Sequence, residues 1–409
     1  MDHYDQLESR TQAQREKDLF AALPKQIQYI QQNTRNRALE AVDYRSIDSR
    51  RALADLPVTR KSQLMSLQQE SPPFGGLVAP PITDVAKVFI SPGPIFEPEG
   101  KQSNYWRYAR ALYAAGFRKG DLVHNTFSYH FTPAGAMVET GAHALGCAVI
   151  PAGVGQTEIQ VQALERLRPR GYVGTPSFLK IILEKAQEVG ADITALKKAS
   201  VAAEALPPSL RAEIEAYGVE VVQVYATADL GMIAYESSAQ EGMILDEELI
   251  LEIVKPGTGD PVQEGDVGEV LITNFNRAYP LVRLATGDLS AVLPGISSCG
   301  RTNHRIKGWL GRADQSTKVR GMFVHPSQIA AIERSYPTVL KSRLVVDREG
   351  GKDVMVLQCE QDVGDDEGLR EAMVTSLREI TSLRGDVKFV EPGSLANDGK
   401  VIDDIRSMD

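Results

Sequence analysis

The chain has 409 residues, 43% hydrophobic and 24% charged, and its 45 basic against 54 acidic residues leave a net charge of −9. These proportions exclude a disordered or collagen-like chain, and the acidic balance argues against a surface given over to nucleic acid, which needs concentrated Lys and Arg. At this length a single core rarely suffices, so a large domain with a smaller companion is expected.

Residues 1–51 are polar and mixed in charge, lacking the apolar stretch and small-residue cleavage site of a secretory leader. No run approaches the roughly 18 apolar residues of a membrane span. Cys147, Cys299 and Cys359 are widely spaced and odd in number, which indicates neither a disulfide framework nor a thiolate zinc site and fits a reducing cytoplasm. Helix-like segments such as Leu19 to Gln32, divided by Pro24, lead to Leu56-Pro57-Val58-Thr59, where proline favours extended or turn geometry. The apolar run Val85 to Ile90 reads as a strand feeding a loop that begins at Ser91-Pro92-Gly93-Pro94.

Helices and strands then alternate. Helices are expected around Tyr105 to Ala115, Pro133 to Leu145, Thr157 to Leu167 and Pro176 to Glu188, and strands at Asp121 to Thr126, Ala148 to Pro151, Gly171 to Thr175, Lys198 to Ala202 and Val219 to Val224. Such spacing predicts a parallel, layered α/β sheet. After Gly231 short strands with glycine turns, including Leu249 to Val254 and Gly268 to Thr273, predict a β-rich subdomain. A second unit follows Gly311, with a strand near Lys318, a helix at Pro326 to Ser335, strands at Ser342 to Asp347 and Asp353 to Gln358, and a helix at Gly368 to Leu383. The expected domains are therefore 1–312 and 313–409, the second α+β, with the boundary at Gly311-Arg312-Ala313-Asp314.

Local charge is the first chemical signal. Arg301, His304, Arg305, Lys307, Arg312, Lys318 and Arg320 gather in a stretch whose acid is Asp314, a pattern that suits either phosphates gripped by guanidinium forks or a solvated strand face. The turn Leu284-Ala285-Thr286-Gly287-Asp288 presents a carboxylate that could accept bonds from vicinal hydroxyls, or be a plain β-turn. Gly399-Lys400 lies in a polar loop after Pro392, where an exposed lysine is also unremarkable on its own.

Their order is more specific than any one of them. Val173 to Ser177, Ala203 to Leu206, Val224 to Asp229, Gly268 to Thr273, Arg283 to Asp288, Gly311 to Gly321 and Gly399-Lys400 together resemble the adenylate-forming superfamily, and within it the short ligases of the phenylacetate-coenzyme A ligase type, from about Leu56 onward. The resemblance implies an α/β fold with a large ATP- and acid-binding domain and a small domain that rotates between an adenylating and a thioester-forming pose. It implies ATP, magnesium and coenzyme A as cofactors and a small carboxylic acid as substrate, with no nucleic-acid or membrane partner and a homodimer left open. Ala203, Glu204, Tyr225, Ala226, Asp288, Arg305 and Arg312 would bind nucleotide, Asp288 at the ribose and Tyr225 against the adenine. Asp229 would hold magnesium, and Lys400 would bridge the acid carboxylate and the α-phosphate. Tyr129, His130 and Phe131 match a wall of the aryl pocket, so an aromatic or arylalkyl acid is expected.

The chain also departs from the family. Ser91-Pro92-Gly93-Pro94-Ile95-Phe96-Glu97-Pro98 stands where a Gly, Ser and Thr rich phosphate loop with its lysine belongs, and its prolines lack the N–H groups that cradle phosphate. Glu97 would repel a triphosphate. Tyr225-Ala226-Thr227-Ala228-Asp229 replaces a phosphate-facing threonine by Ala228 and shortens the magnesium carboxylate. Ser237 and Met243 occupy places where several relatives carry Cys and His, so no metal is expected there. A working ligase with altered phosphate handling is the favoured reading, and a non-catalytic homologue that binds nucleotide or acyl-coenzyme A is the alternative.

Overall fold

The computed structural model describes residues 3–91, 94–313, 315–320, 322–349, 352–361, 366–398 and 400–406. Pro92, Gly93, Asp314, Gly321 and Gly399 lie outside the described residues. Two compact units emerge, one of Met1–Leu251, Ile272–Leu284 and Val292–Trp309, the other of Glu252–Leu271, Ala285–Ala291 and Leu310–Asp409. The division runs through the strands Leu249–Val254, Gly268–Asn274 and Leu284–Ser290, so the smaller unit includes segments well ahead of Gly311.

In the larger unit the alternating pattern yields a nine-stranded sheet. Ala148–Pro151, Leu122–Asn125, Gly171–Gly174, Lys198–Val201 and Glu220–Thr227 lie side by side in that order and parallel. The sheet continues antiparallel through Gly231–Tyr235, Met243–Leu245, Arg305–Ile306 and Val292–Leu293. Parallel strands are covered on both faces, and Gly171–Gly174 is buried throughout. A Cβ on Gly171 would stand 2.1 Å from the Phe117 ring, so glycine is what lets that helix-side aromatic close on the sheet.

The helix Pro176–Val189 shows how local sequence fixes the crossovers. Thr175 caps it by accepting from the Phe178 N–H at 3.4 Å, Pro176 opens it, and Gly190 at φ +69° ends it. Its buried Leu179, Ile182, Leu183 and Ala186 repeat at three- and four-residue intervals and pack on Val161, Leu164 and Val201. Thr175→Ala would cost about 1 kcal/mol through the lost cap.

Pro24 does not divide the first helix, which runs unbroken over Gln12–Asn33. Leu19, Phe20, Leu23, Ile27 and Ile30 are buried there against Leu39, Leu53, Ile250 and Val282. That apolar face outweighs the roughly 3 kcal/mol a mid-helix proline costs. The buried Arg15 guanidinium locks the helix further through Glu247, at 2.8 Å.

In the smaller unit a four-stranded sheet runs in the order Asp386–Val390, Lys352–Gln361, Val339–Glu349, Ile402–Asp404, with the central pair antiparallel and the flanking strands parallel to their neighbours. Helices Pro326–Ser335 and Glu367–Thr381 cover it, burying Ile329, Ile332, Met373 and Leu377 against Leu344, Val346 and Leu357. This is the α+β arrangement expected after Gly311.

Candidate active site

Parallel sheets bind ligands beyond the carboxyl ends of their strands, where the direction of winding changes. The winding reverses between Leu122–Asn125 and Gly171–Gly174, and further along the same carboxyl edge, past Glu220–Thr227, Asp229 stands in the turn that leads to the first antiparallel strand. Its side chain is fully shielded from solvent. Thr227 Oγ1 donates to Asp229 Oδ2 at 2.6 Å, and Lys61 Nζ lies 2.8 Å from Oδ1. Tyr225 is buried in the same strand and Ala226 half-buried, beside a register shift between them.

The strand expected up to Ile90 is present as Lys87–Ser91, but Ile95–Glu99, expected to be loop, is a second strand paired with it. Lys87–Ser91 pairs antiparallel with Ile95–Glu99, from Ser91 opposite Ile95 to Lys87 opposite Glu99. A two-stranded ribbon has edges on both sides, which is where Pro98 can sit without a ladder donor. The alternation also turns Glu97 inward. It has no exposed surface, and Ser91 Oγ donates to its Oε1 at 3.0 Å while Oε2 has no hydrogen-bond partner. Burial, reinforced by the Asp229 charge and opposed by Lys61, pushes the Glu97 carboxyl well above the usual carboxylate range. A neutral carboxyl does not repel phosphate as an ionised one would, so the repulsion expected from Glu97 does not follow from its environment. The Tyr279 hydroxyl, also buried and without a hydrogen-bond partner, feels both Glu97 and Asp229.

The hairpin adjoins the segment assigned to the acid. The Ile90 N–H donates to the Phe131 carbonyl at 2.9 Å, which holds that loop against the ribbon. Buried Asn125 donates from Nδ2 to the Tyr129 hydroxyl at 2.8 Å, and burial together with a bond to Glu139 pushes that phenol upward. Phe131 is 63% exposed at φ +64°, with His130 edge-on to its ring at 5.0 Å. Ala203, at φ +70°, and Glu204 follow the Lys198–Val201 strand, both exposed, and Glu204 accepts weakly from the Ser177 N–H at 3.4 Å.

The smaller unit brings Asp288 and Arg312 together. Arg312 Nη1 donates to Asp288 Oδ1 at 2.8 Å, and the two residues also form a backbone bridge. Thr286-Gly287-Asp288 lies within the strand Leu284–Ser290 rather than in a turn after it, with Gly287 at φ +75° kinking the strand. A Cβ at Gly287 would meet Arg312 Nη2 at 2.6 Å. Lys400 is half-exposed and pairs with Asp403 Oδ1 at 2.8 Å.

The basic run of the sequence does not converge on one anion. Arg301 Nε faces Glu8 at 3.1 Å, Arg305 donates to the carbonyls of Glu241 and Pro294 at 2.7 and 2.8 Å, and Arg320 Nε donates to the Asp353 carbonyl at 2.9 Å. Arg305 is thus committed to holding two loops of its own unit. Sequence reasoning missed Lys61 and the inward turn of Glu97. The partner of Lys61 lies far along the chain, and the only local signal for Glu97 was the strand alternation of Ile95 to Glu99.

Magnesium suits the oxygen donors of Asp229 and Thr227, since this ion takes one or two carboxylates and completes its shell with water and phosphate. The Lys61 ammonium already stands on Asp229 Oδ1 as a cation would.

The sequence model of the AMP-binding enzyme family matches residues 102–276. The chain is 31% identical over 365 residues to the phenylacetate-coenzyme A ligase of Thermus thermophilus, covering 85% of this chain and 80% of that one. It is 30% identical over 332 residues to the enzyme of that name from Aromatoleum evansii, covering 76% and 74%. Among solved structures, the open conformation of 2-hydroxyisobutyryl-CoA ligase in complex with 2-HIB-AMP and CoA superposes with a TM-score of 0.73 at 25% identity, over 95% of this chain and 91% of that one. With a family motif order, an α/β fold and relatives matched over most of their length, the chain belongs to the phenylacetate-coenzyme A ligase family of AMP-binding enzymes.

Proposed function

We propose that the chain activates a carboxylic acid with ATP as an acyl-adenylate and then passes the acyl group to coenzyme A. In the first step the carboxylate oxygen attacks the α-phosphorus and the bond to pyrophosphate breaks. In the second the thiol sulfur attacks the acyl carbon, the bond to AMP breaks, and AMP leaves with the electron pair. The observation that carries this reading is the Asp288–Arg312 pair, a ribose acceptor already oriented by a guanidinium, in a chain whose relatives share one ligase name.

Each residue has a distinct task. Asp288 accepts the ribose hydroxyls, Tyr225 packs on the base beside Ala226, and Ala203 and Glu204 border it. Asp229 would hold magnesium, which supplies charge neutralisation on the phosphates. Lys400 places positive charge between the carboxylate and the α-phosphate, where negative charge grows in the transition state. For that it must exchange Asp403 for substrate, and motion of residues 313–409 about the segment near Asp314 would provide the exchange. Tyr129, His130 and Phe131 would line an aryl or arylalkyl acid. A cytoplasmic setting fits the three buried, free cysteines, and light scattering tests a homodimer.

The test is pyrophosphate exchange and thioester formation over aryl, arylalkyl and short aliphatic acids. Lys400→Ala is expected to lower exchange roughly a hundredfold or more while acid binding persists, since it removes an interaction made mainly in the transition state. The hairpin strand Ile95–Glu99, paired where an open phosphate loop was expected, favours the second reading, a homologue that binds nucleotide or acyl-coenzyme A without adenylating. Silence across the panel with AMP still bound would select it.

A further inference from the structure

We propose that Lys61 is the phosphate-side cation of this site: it is stationed on Asp229 and transfers to the β- and γ-phosphates of a bound nucleoside triphosphate. The inference rests on the acid-activating reading and names the group that replaces the missing loop donors.

Three observations meet here. The first is access. The Asp229 carboxylate has no exposed surface, whereas the Lys61 side chain paired with it at 2.8 Å keeps 26% of its own, so the ammonium-bearing side chain of this pair is the one that reaches solvent. The second is charge. Around this carboxylate the structure gathers Glu97, with Oε2 unpartnered, and the unpartnered hydroxyl of Tyr279, both fully buried, and the Lys61 charge reaches Glu97 as well. Unpartnered buried polar atoms are rare in folded proteins, and two of them stand beside one carboxylate here. The third is the hairpin, which puts a paired strand where backbone N–H groups would cradle phosphate. A triphosphate in this site therefore needs its positive charge from a side chain, and a lysine serves phosphate as a mobile point charge.

The sequence position supports the same assignment. Lys61 opens the short helical turn Lys61–Gln63, just after the strand Thr59–Arg60, whose Thr59 N–H donates to the Arg283 carbonyl at 3.1 Å. The backbone that carries the lysine is thus fixed, while its long side chain can swing between carboxylate and phosphate. Once a cation delivered with the nucleotide occupies Asp229, the ammonium and that cation repel, which favours the swing.

Calorimetry with ATP and with AMP tests the assignment without relying on turnover. Lys61→Gln keeps a hydrogen-bond donor toward Asp229 and so preserves the fold, and Lys61→Arg keeps the charge. In Lys61→Gln ATP should bind roughly ten- to a hundredfold more weakly, while AMP stays within about twofold of wild type. Lys61→Arg should recover most of the ATP preference. Equal weakening of ATP and AMP, or none, would overturn the assignment and leave Lys61 as a structural partner of Asp229. A wild type that distinguishes ATP from AMP through Lys61 yet adenylates no acid would instead sink the ligase reading alone.

Discussion

For the ribose-binding role proposed for Asp288 its carboxylate needs to be held in place, and Arg312 pairs with it from a side chain that is itself 53% exposed. Removing the carboxylate leaves that guanidinium in water rather than buried, so Asp288→Ala should fold normally. AMP affinity should fall roughly tenfold or more with the lost charged acceptor. Calorimetry of AMP on the variant decides it, and unchanged binding would move the ribose elsewhere. Gly287→Ala tests the same pair from the backbone. Its side chain would have to occupy φ +75° and crowd Arg312 Nη2 at 2.6 Å. A stability loss of about 1–2 kcal/mol is expected in urea unfolding, together with weaker AMP binding. Asp229 and Asp288 could be proposed from the sequence because each sits in a short run of fixed order. Lys61 was not, because a salt bridge between segments so distant leaves no local trace.

The hairpin Lys87–Ser91/Ile95–Glu99 is the element most altered from expectation. Ile95-Phe96-Glu97 carries strand propensity and alternation, and pairing with Lys87–Ser91 won over an open loop. One consequence is a pH dependence of stability. The folded state holds the Glu97 proton more tightly than the unfolded chain, where the carboxyl returns to its ordinary 4.5. Its contribution is fully present below that value and declines, by up to about 1.4 kcal/mol per pH unit, until the folded pKa is passed. Glutamine has no such proton to lose. Urea midpoints at pH 5 and pH 8 should therefore fall further for wild type than for Glu97→Gln, and parallel midpoints would show that Glu97 is ionised in the fold. Two helices behaved differently: Thr157–Leu167 and Pro326–Ser335 begin and end where the sequence pattern placed them. Such helices are specified locally, whereas the inward face of a hairpin depends on what packs against it.

Over the whole molecule, length and texture led to an expectation of two domains, and in the smaller unit Val319, Ile329, Leu344, Leu357, Met373 and Ile402 share one buried cluster. What texture could not show is that this unit also recruits earlier chain. Lys255 pairs with Glu333, Arg334 with Asp260 at 2.9 Å, and Asn397 Nδ2 donates to Asp266 Oδ1 at 3.1 Å. The Leu310–Ala313 segment is likewise tied to Leu284–Ser290, through Leu289 N–H to Gly311 carbonyl at 2.9 Å and Ala313 N–H to Gly287 carbonyl at 2.8 Å. Trp309 and Leu310 are nevertheless 51% and 41% exposed. Limited chymotrypsin digestion should therefore nick the chain within 309–316, slowly, because a few backbone bonds must open first. The two fragments should co-elute on native size exclusion and part only in denaturant, since Glu252–Leu271 still grips the carboxyl-terminal core. If residues 313–409 swing during catalysis, a stable acyl-adenylate analogue should change the rate of that nick. A carboxyl-terminal fragment released under native conditions would overturn the grip, and a nicking rate indifferent to every ligand would remove the support for rotation.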